Sequence, residues 1–180
     1  RNLSFGDYQF STGANINFAR YYKKSIVKQV NQGAIDFDDY LSEINFMQYG
    51  LYVQSAKKYF EELLQVSLGA RIDASNYSDK TSNPLYQFSP RLSLRLKLND
   101  AFALNVNSGI YYQLPPYTSL GFQVNDVLVN KNTLKYIRNS QIVGGIEFNG
   151  KDNLRFTAEA YYKRYSNYPF SLRNQISLAN

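Results

Sequence analysis

The sequence contains neither histidine nor cysteine, so carboxylates are the residues with which it could most readily do chemistry. Asp36, Asp38, Asp39 and Glu43 form its densest acidic cluster, in the stretch DFDDYLSE. Calcium prefers several carboxylate oxygens, so such a cluster could hold that ion. The glycine and the ligand spacing of an EF-hand loop are missing, and a solvated polar loop accounts for the same residues. The solvated loop is the favoured interpretation, and we predict no metal and no cofactor.

Catalysis has little support in the sequence. Without His or Cys, the common nucleophile–base triads are excluded. Glu147 and Glu159 lie on neighbouring predicted strands, and paired carboxylates can perform acid–base chemistry. No other residue marks a cleft around them, so we predict that the chain is not an enzyme.

Aromatic and amide side chains cluster in the stretch YYQLPPY, where a predicted strand enters a long loop. Tyrosine at a strand end is the expected anchor at a membrane interface, and proline ends strand pairing, so the structural interpretation is favoured. The alternative is a substrate vestibule. Its candidate residues are Tyr111, Tyr112, Gln113 and Tyr117, together with Asp39 and Tyr40 in another predicted loop.

These residues must be positioned by strands, because apolar and polar residues alternate through most of the chain. In residues 88–98, FSPRLSLRLKL, the leucines share one face while arginine, lysine and serine share the other. Such strict period two predicts a half-buried strand. Most of the predicted strands have 11 to 15 residues, enough for the roughly 9–11 that cross a bilayer at a tilt. The seven predicted strands cover residues 8–22, 43–55, 64–74, 88–98, 101–113, 134–148 and 153–165.

The connections between these strands alternate between short and long. Short turns are predicted at residues 56–59, 99–100 and 149–152, and long polar loops at 23–42, 76–86 and 114–133. Outer-membrane barrels have this asymmetry, with short periplasmic turns and long extracellular loops. The sequence therefore predicts an all-β fold, an antiparallel transmembrane β-barrel segment of seven or eight strands. An odd count places the two ends on opposite sides, so we expect an incomplete wall, with residues 170–180 as a loop or the start of a descending eighth strand.

Charged residues fall on the polar faces of the predicted strands. In a barrel they would point into the lumen, where pairing with one another is favoured over attracting an anionic substrate. The candidates for lumen-facing residues are Arg71, Asp73, Arg91, Arg95, Arg155 and Glu159. Although the net charge is +6, the basic residues are scattered and no nucleic-acid-binding motif accompanies them, so no nucleic acid partner is predicted.

Three longer stretches of the sequence are informative when they are taken together. The first is YGLYVQSAKKYFEELLQVSLGARID at 49–73, and the second is FSPRLSLRLKLNDAFALNVNSGIYYQLPPY at 88–117. The third, SQIVGGIEFNGKDNLRFTAEAYYKRYSNYP, covers 140–169. Together these stretches resemble the barrel of TonB-dependent outer-membrane receptors, in the style of those from Bacteroidetes. They cover about half of the chain, in the order that the family has.

This resemblance implies a barrel of about 22 strands in the outer membrane of a Gram-negative bacterium. It also implies a plug domain, through which the TonB complex drives uptake of a scarce nutrient: a siderophore or other iron complex, cobalamin, an oligosaccharide or a peptide. Outer-membrane lipid is an implied partner, and a surface lipoprotein is a further candidate. No plug, TonB-contacting segment or closing strand is recognisable, so we expect residues 1–180 to be part of one barrel domain.

Two other classes fit the alternation as well. A soluble all-β binding or adhesion module, such as a sandwich, would pack its leucine faces together. A small closed outer-membrane barrel of eight strands would need residues 170–180 as a full strand, since about 11 residues can just span the membrane.

Overall fold

The chain folds mainly into one antiparallel sheet, seen in a computed structural model that describes residues 2–31, 34–124, 126–150, 154–171 and 176–177. For residues 5, 25–31, 34–40, 124, 171, 176 and 177 the backbone alone is described. In chain order the elements are β1 (Asn2–Phe5), β2 (Tyr8–Asn31), β3 (Ala34–Tyr59), β4 (Leu64–Ser75), α1 (Asp79–Ser82), a 3-10 helix (Pro84–Gln87), β5 (Ser89–Lys97), β6 (Phe102–Gln113), α2 (Tyr117–Leu120), β7 (Gln123–Val124), β8 (Val127–Leu128), β9 (Ile137–Asn149), β10 (Arg155–Ser166), β11 (Phe170–Ser171) and β12 (Ile176–Ser177).

The strand order follows the chain. Eight strands pair as β1-β2-β3-β4-β5-β6-β9-β10, and every neighbouring pair is antiparallel. This confirms the predicted all-β fold and its seven long strands, to which the four-residue β1 adds an eighth.

The sheet has two chemically different faces. In one register row Arg95, Asn105, Gly145 and Glu159 lie side by side, and in the next row Leu96, Leu104, Ile146 and Ala158 do. We call the face of the first row the polar face and the other the apolar face. Large apolar side chains stand exposed on the latter: Ile16, Phe18, Leu51, Leu68, Ile142 and Phe156.

Neither alternative fold is formed by the described part of the chain. No second sheet covers the apolar face there, so the sandwich is wrong. β11 pairs with β12 rather than extending the sheet, and β10 pairs with β9 but not with β1, so a closed eight-stranded barrel is wrong as well. Among the described residues, no helix has the length and apolar character that crossing a membrane requires.

The first predicted long loop, residues 23–42, is wrong. β2 and β3 remain paired from Lys23 opposite Ser42 to Asn31 opposite Ala34, so the two strands reach 24 and 26 residues. The segment is polar and lacks apolar alternation, but a backbone ladder does not require that pattern. This hairpin extends well beyond the end of β4, whose pairing with β3 stops at Gln48.

The first predicted short turn is also misplaced. β3 continues through residues 56–59, and the reversal occurs at 60–63, where Phe60, Glu61 and Glu62 have φ values of 53, 52 and 72°. The stretch SAKKY contains neither Gly nor Pro, so nothing ends the strand there. An ion pair of 2.6 Å between Lys58 and Glu62 lies across the turn.

The remaining connections follow the prediction more closely. At residues 99–100 the Asn99 side chain accepts hydrogen bonds from the backbone N–H of Ala101 and Phe102 and closes the turn. The loop at 76–86 contains α1 and enters the 3-10 helix. Part of the predicted turn at 149–152 lies outside the described residues, but Gly150 N–H donates to the carbonyl of Leu154 over 2.8 Å.

A small hydrophobic core lies at one end of the polar face. The connection between β6 and β9, residues 114–136, folds onto that face, and we call it the inward loop. It packs against the extended hairpin and the β4–β5 connection. The buried residues of this core are Ile44, Phe46, Tyr77, Leu114, Leu120 and Tyr136.

Candidate functional site

Glu147 connects three side chains on the polar face at one end of the sheet. This end, which we call the turn end, is where β3 is followed by β4, β5 by β6 and β9 by β10. The Glu147 side chain is 6% exposed and forms ion pairs with Arg95 (2.9 Å) and Arg155 (2.8 Å). Asn149 donates a further hydrogen bond of 2.9 Å. Both contacts with Arg95 are present, which makes the pair bidentate and ties β5 to β9 across β6.

A second polar cluster lies near the opposite end, the loop end. Arg71 donates to both oxygens of Asp73, at 2.7 and 2.6 Å, and also to the side chain of Asn15 over 3.0 Å. Gly50 lies under this cluster, where a Cβ would collide with the Asp73 carboxylate and approach Asn15 to 2.8 Å. The missing side chain therefore lets Arg71 and Asp73 lie along the wall.

Arg91 lies between the two clusters. Its guanidinium carbon is 4.6 Å from the centre of the Tyr111 ring, a cation–π geometry. Glu159 extends over Gly145, where a Cβ would come within 2.9 Å of its Cγ. All six residues predicted to face a lumen thus share the polar face, and four of them pair through carboxylates.

The inward loop is attached to the wall by its backbone. The Tyr77 hydroxyl donates to the carbonyl of Leu120 over 2.7 Å, and the Ser42 hydroxyl donates to the carbonyl of Gly121. A Cβ on Gly121 would lie 2.7 Å from the Ser42 oxygen and 2.8 Å from the ring of Tyr21. Glycine is therefore required for this close approach.

Burial also affects the phenols of this core. It raises the pKa of the Tyr77 hydroxyl, and it raises that of Tyr136 more strongly, with the charge of Asp73 adding to the effect. Both phenols therefore remain neutral hydrogen-bonding groups at ordinary pH.

Two cavities open on the polar face beneath the inward loop. The first, of about 270 Å³, is bordered by β6, β9 and β10, and we call it the tyrosine cavity; its lining residues are Tyr111, Tyr112, Gln113, Pro116, Ile137, Asn139, Tyr165 and Tyr168. The second, of about 280 Å³, has a more polar lining that includes Asn15, Asn17, Gln48, Arg71, Asp73 and Tyr136. Tyr112 and Gln113 border both.

The two cavities offer aromatic and polar surfaces to which a ligand can bind. The described residues contain no group of three or more side chains that could hold a metal ion. Glu43, from the acidic cluster, pairs with Arg20 over 2.9 Å, while the side chains of Asp36, Asp38 and Asp39 lie outside the described ones. The absence of a metal at that cluster therefore stays a prediction.

Residues 1–180 match the family described as "TonB dependent receptor-like, beta-barrel". The chain belongs to this family. A search of the curated proteins finds no match.

A solved structure has a similar fold. The TonB-dependent receptor-like barrel of this chain superposes on the structure named "Copper transporter OprC" with a TM-score of 0.64 and 17% sequence identity. The match covers 90% of this chain and 28% of the other. At this identity the likeness concerns the fold alone, and the chain spans just over a quarter of the solved one.

Within this TonB-dependent receptor-like barrel, the predicted substrate-facing residues separate into groups. Tyr111, Tyr112 and Gln113 line the tyrosine cavity. Tyr117 instead accepts a hydrogen bond from Gln48 over 3.2 Å and packs edge-on against Phe46, so it supports the inward loop. The side chains at 39 and 40 are not among those described, although the backbone there belongs to β3.

Sequence reasoning missed the other half of the tyrosine cavity. Asn139, Tyr165 and Tyr168 line it because β9 pairs with β6 on one side and with β10 on the other. The register places Asn139 directly between Tyr111 and Tyr165. The alternation could have shown that these residues share a face, but only the register shows that they are neighbours.

Proposed function

We propose that this chain forms part of the wall of an outer-membrane barrel that takes up a scarce nutrient in a TonB-dependent manner. The observation that carries the proposal is the division of the sheet into two faces, in a chain whose family is that of TonB-dependent receptor-like barrels. The apolar face meets lipid, and the polar face lines the lumen.

The apolar face supports contact with lipid by its continuity. Leu94, Val106, Gly144 and Ala160 form one register row on it, and Leu68, Leu92, Ser108, Ile142 and Tyr162 form another. Leu68 and Ile142 on this face are 59% and 49% exposed. A soluble protein rarely leaves so large an apolar surface uncovered.

The proposal includes the expectation that residues 1–180 are part of one larger barrel domain. Among the described residues the sheet is open, because β1 and β10 do not pair with each other. An open amphipathic sheet exposes unpaired backbone groups, which a bilayer does not tolerate at a lipid-exposed edge. Further strands therefore complete the barrel, and a plug domain occupies its lumen.

The orientation follows from the asymmetry of outer-membrane barrels, whose short turns are periplasmic and whose long loops are extracellular. The turn end faces the periplasm, and the loop end, with the extended β2–β3 hairpin, faces the outside. The inward loop then lies across the outer part of the lumen, where Tyr111, Tyr112 and Gln113 contact the substrate. The chain performs binding and release rather than catalysis, and a TonB complex supplies the energy through the plug.

We do not propose copper, the substrate in the name of the solved structure, as the substrate of this chain. Copper is bound in proteins mainly by thiolate, thioether and imidazole ligands. This chain has one Met and no Cys or His, so it offers one such ligand, Met47. Organic nutrients and iron complexes remain the proposed substrates.

Uptake measurements test the proposal in the organism that makes the protein. Cells with and without the gene, and cells without TonB, are given a labelled ferric siderophore, cobalamin, oligosaccharide and peptide. We expect accumulation of at least one class to require both the gene and TonB. If accumulation of all four is unchanged by either deletion, the proposed function is wrong.

A further inference from the structure

We infer that the tyrosine cavity is a binding site for a neutral, hydroxyl-rich ring, such as a pyranose unit of an oligosaccharide. This inference rests on the proposed function and adds a substrate class to it. It is carried by the composition of the cavity, by one unpartnered buried atom and by the position of Arg91.

The cavity presents aromatic surfaces at several angles. Tyr165 and Tyr168 have ring centres 5.2 Å apart with planes inclined by 54°, and the two side chains are 46% and 40% exposed. Tyr111 and Tyr112 lie on β6, which is separated from β10 by β9. Rings of this kind stack on the C–H faces of a sugar, while their hydroxyl groups remain available for hydrogen bonds.

One residue that lines the cavity, Asn139, carries an unsatisfied acceptor. The Asn139 side chain donates from Nδ2 to Gln141 over 3.1 Å, but its Oδ1 is buried without a hydrogen-bond partner. Among the described side chains it is the one buried polar atom in that state. A buried acceptor without a partner is costly, so a rotation of the Asn139 amide that lets Oδ1 accept a hydrogen bond from a ligand in the cavity is favoured.

The charges around the cavity exclude two other classes of ligand. None of the eight lining residues is charged, so an anionic ligand would find no guanidinium or ammonium in contact. A quaternary ammonium ligand could use an aromatic cage, but Arg91 already lies over the Tyr111 ring. A cationic ligand would therefore have to compete with Arg91 for the Tyr111 ring, whereas a neutral polyol needs no charged partner.

The size of the cavity sets the scale of the ligand. A volume of about 270 Å³ lies just below the range of about 300–1,000 Å³ that ligand sites span. It suits a single ring rather than a whole oligosaccharide. The remaining units would continue into the adjacent polar cavity, which shares Tyr112 and Gln113 with it.

Binding to the full-length protein, purified in detergent, tests the inference by calorimetry. The probes are maltohexaose, cellohexaose and xylohexaose as neutral glycans, with choline and ferric citrate as the cationic and anionic comparisons. We expect at least one neutral glycan to bind and the two charged probes not to compete with it. We expect Tyr165→Ala and Asn139→Leu each to weaken that binding roughly tenfold, through the lost stacking surface and the lost acceptor.

Tyr161→Ala is the matched control, because Tyr161 lies on the same strand and the same face but outside the cavity, with 69% of its surface exposed. It should leave glycan binding unchanged. Tyr165→Phe keeps the ring and guards against misfolding, and it should retain most of the affinity. Heat-modifiable mobility on a gel checks that every variant forms the barrel.

The inference is overturned if none of the three glycans binds, if the two cavity variants bind them as well as the control does, or if choline or ferric citrate displaces them. Failure of the proposed function gives a different result, since no substrate class then needs the gene or TonB for uptake. Uptake of cobalamin or a siderophore together with no glycan binding would leave the transport proposal standing and reject the sugar site.

Discussion

The two ends of the sheet hold the polar face together by different means. At the turn end, one nearly buried carboxylate, Glu147, joins two guanidinium groups and an amide within the wall itself. At the loop end, hydrophobic packing and a few hydrogen bonds to backbone carbonyls hold a separate segment, the inward loop, against the wall. Polar pairing thus stabilises the barrel wall, whereas the loop is attached by contacts that can break without opening it.

Removing the Glu147 carboxylate should have the largest effect on the wall. Glu147→Ala leaves Arg95 and Arg155 without their shared anion, and we expect the free energy of unfolding to fall because two charge-assisted ion pairs are lost. The guanidiniums that remain are 40% and 66% exposed, so hydration by water limits the loss. Urea-induced unfolding of the full-length protein in detergent measures it.

The control for this change is Glu159→Ala, on the same face but exposed. It should change the free energy of unfolding by less than about 0.5 kcal/mol. Equal effects of the two substitutions would contradict the role assigned to Glu147. The attachment of the inward loop should be the same in both variants.

A side chain at Gly121 should release the loop and spare the wall. Gly121→Leu would force its Cβ into Ser42 and Tyr21, and we expect this overpacking to disfavour the docked loop by about 2 kcal/mol. Limited proteolysis should then cut within 114–136 faster than in the parent protein, while the urea midpoint of the barrel stays unchanged. Gly144→Leu is the control, since a Cβ there meets no atom within 4 Å. Equal protease resistance of Gly121→Leu and the parent would refute the close packing described.

Alkaline pH should loosen the same loop more mildly. Burial raises the pKa of the Tyr77 hydroxyl above its usual value near 10, so the docked loop holds this proton more tightly than the released loop does. The resulting stabilisation is fully present below about pH 10 and is lost as the pH rises through the higher pKa of the docked state. Protease resistance of the loop should therefore decline above about pH 10, and less steeply in Tyr77→Phe. The same decline in both proteins would show that Tyr77 does not cause it.

The sequence could predict the wall far better than the site. Leu94 and Arg95 alternate because a strand places successive side chains on opposite faces, so the strands and both faces were predictable. Residues 23–42 were misassigned because a polar hairpin carries no apolar pattern. The neighbours of Asn139 and the second guanidinium on Glu147 depend on strand register, which is fixed by pairing between distant segments.

The claim that the two faces meet different surroundings can be tested most directly at two adjacent residues of β9. Ile142 lies on the apolar face and Val143 on the polar face, and both are aliphatic. This chain contains no Cys, so Ile142→Cys and Val143→Cys can each carry a single spin label in the full-length protein on a cysteine-free background. Collision with oxygen and with a water-soluble nickel chelate is then measured in lipid vesicles. We predict a higher ratio of oxygen to nickel accessibility at position 142 than at 143; an equal or reversed ratio would contradict the lipid-facing and lumen-facing assignment.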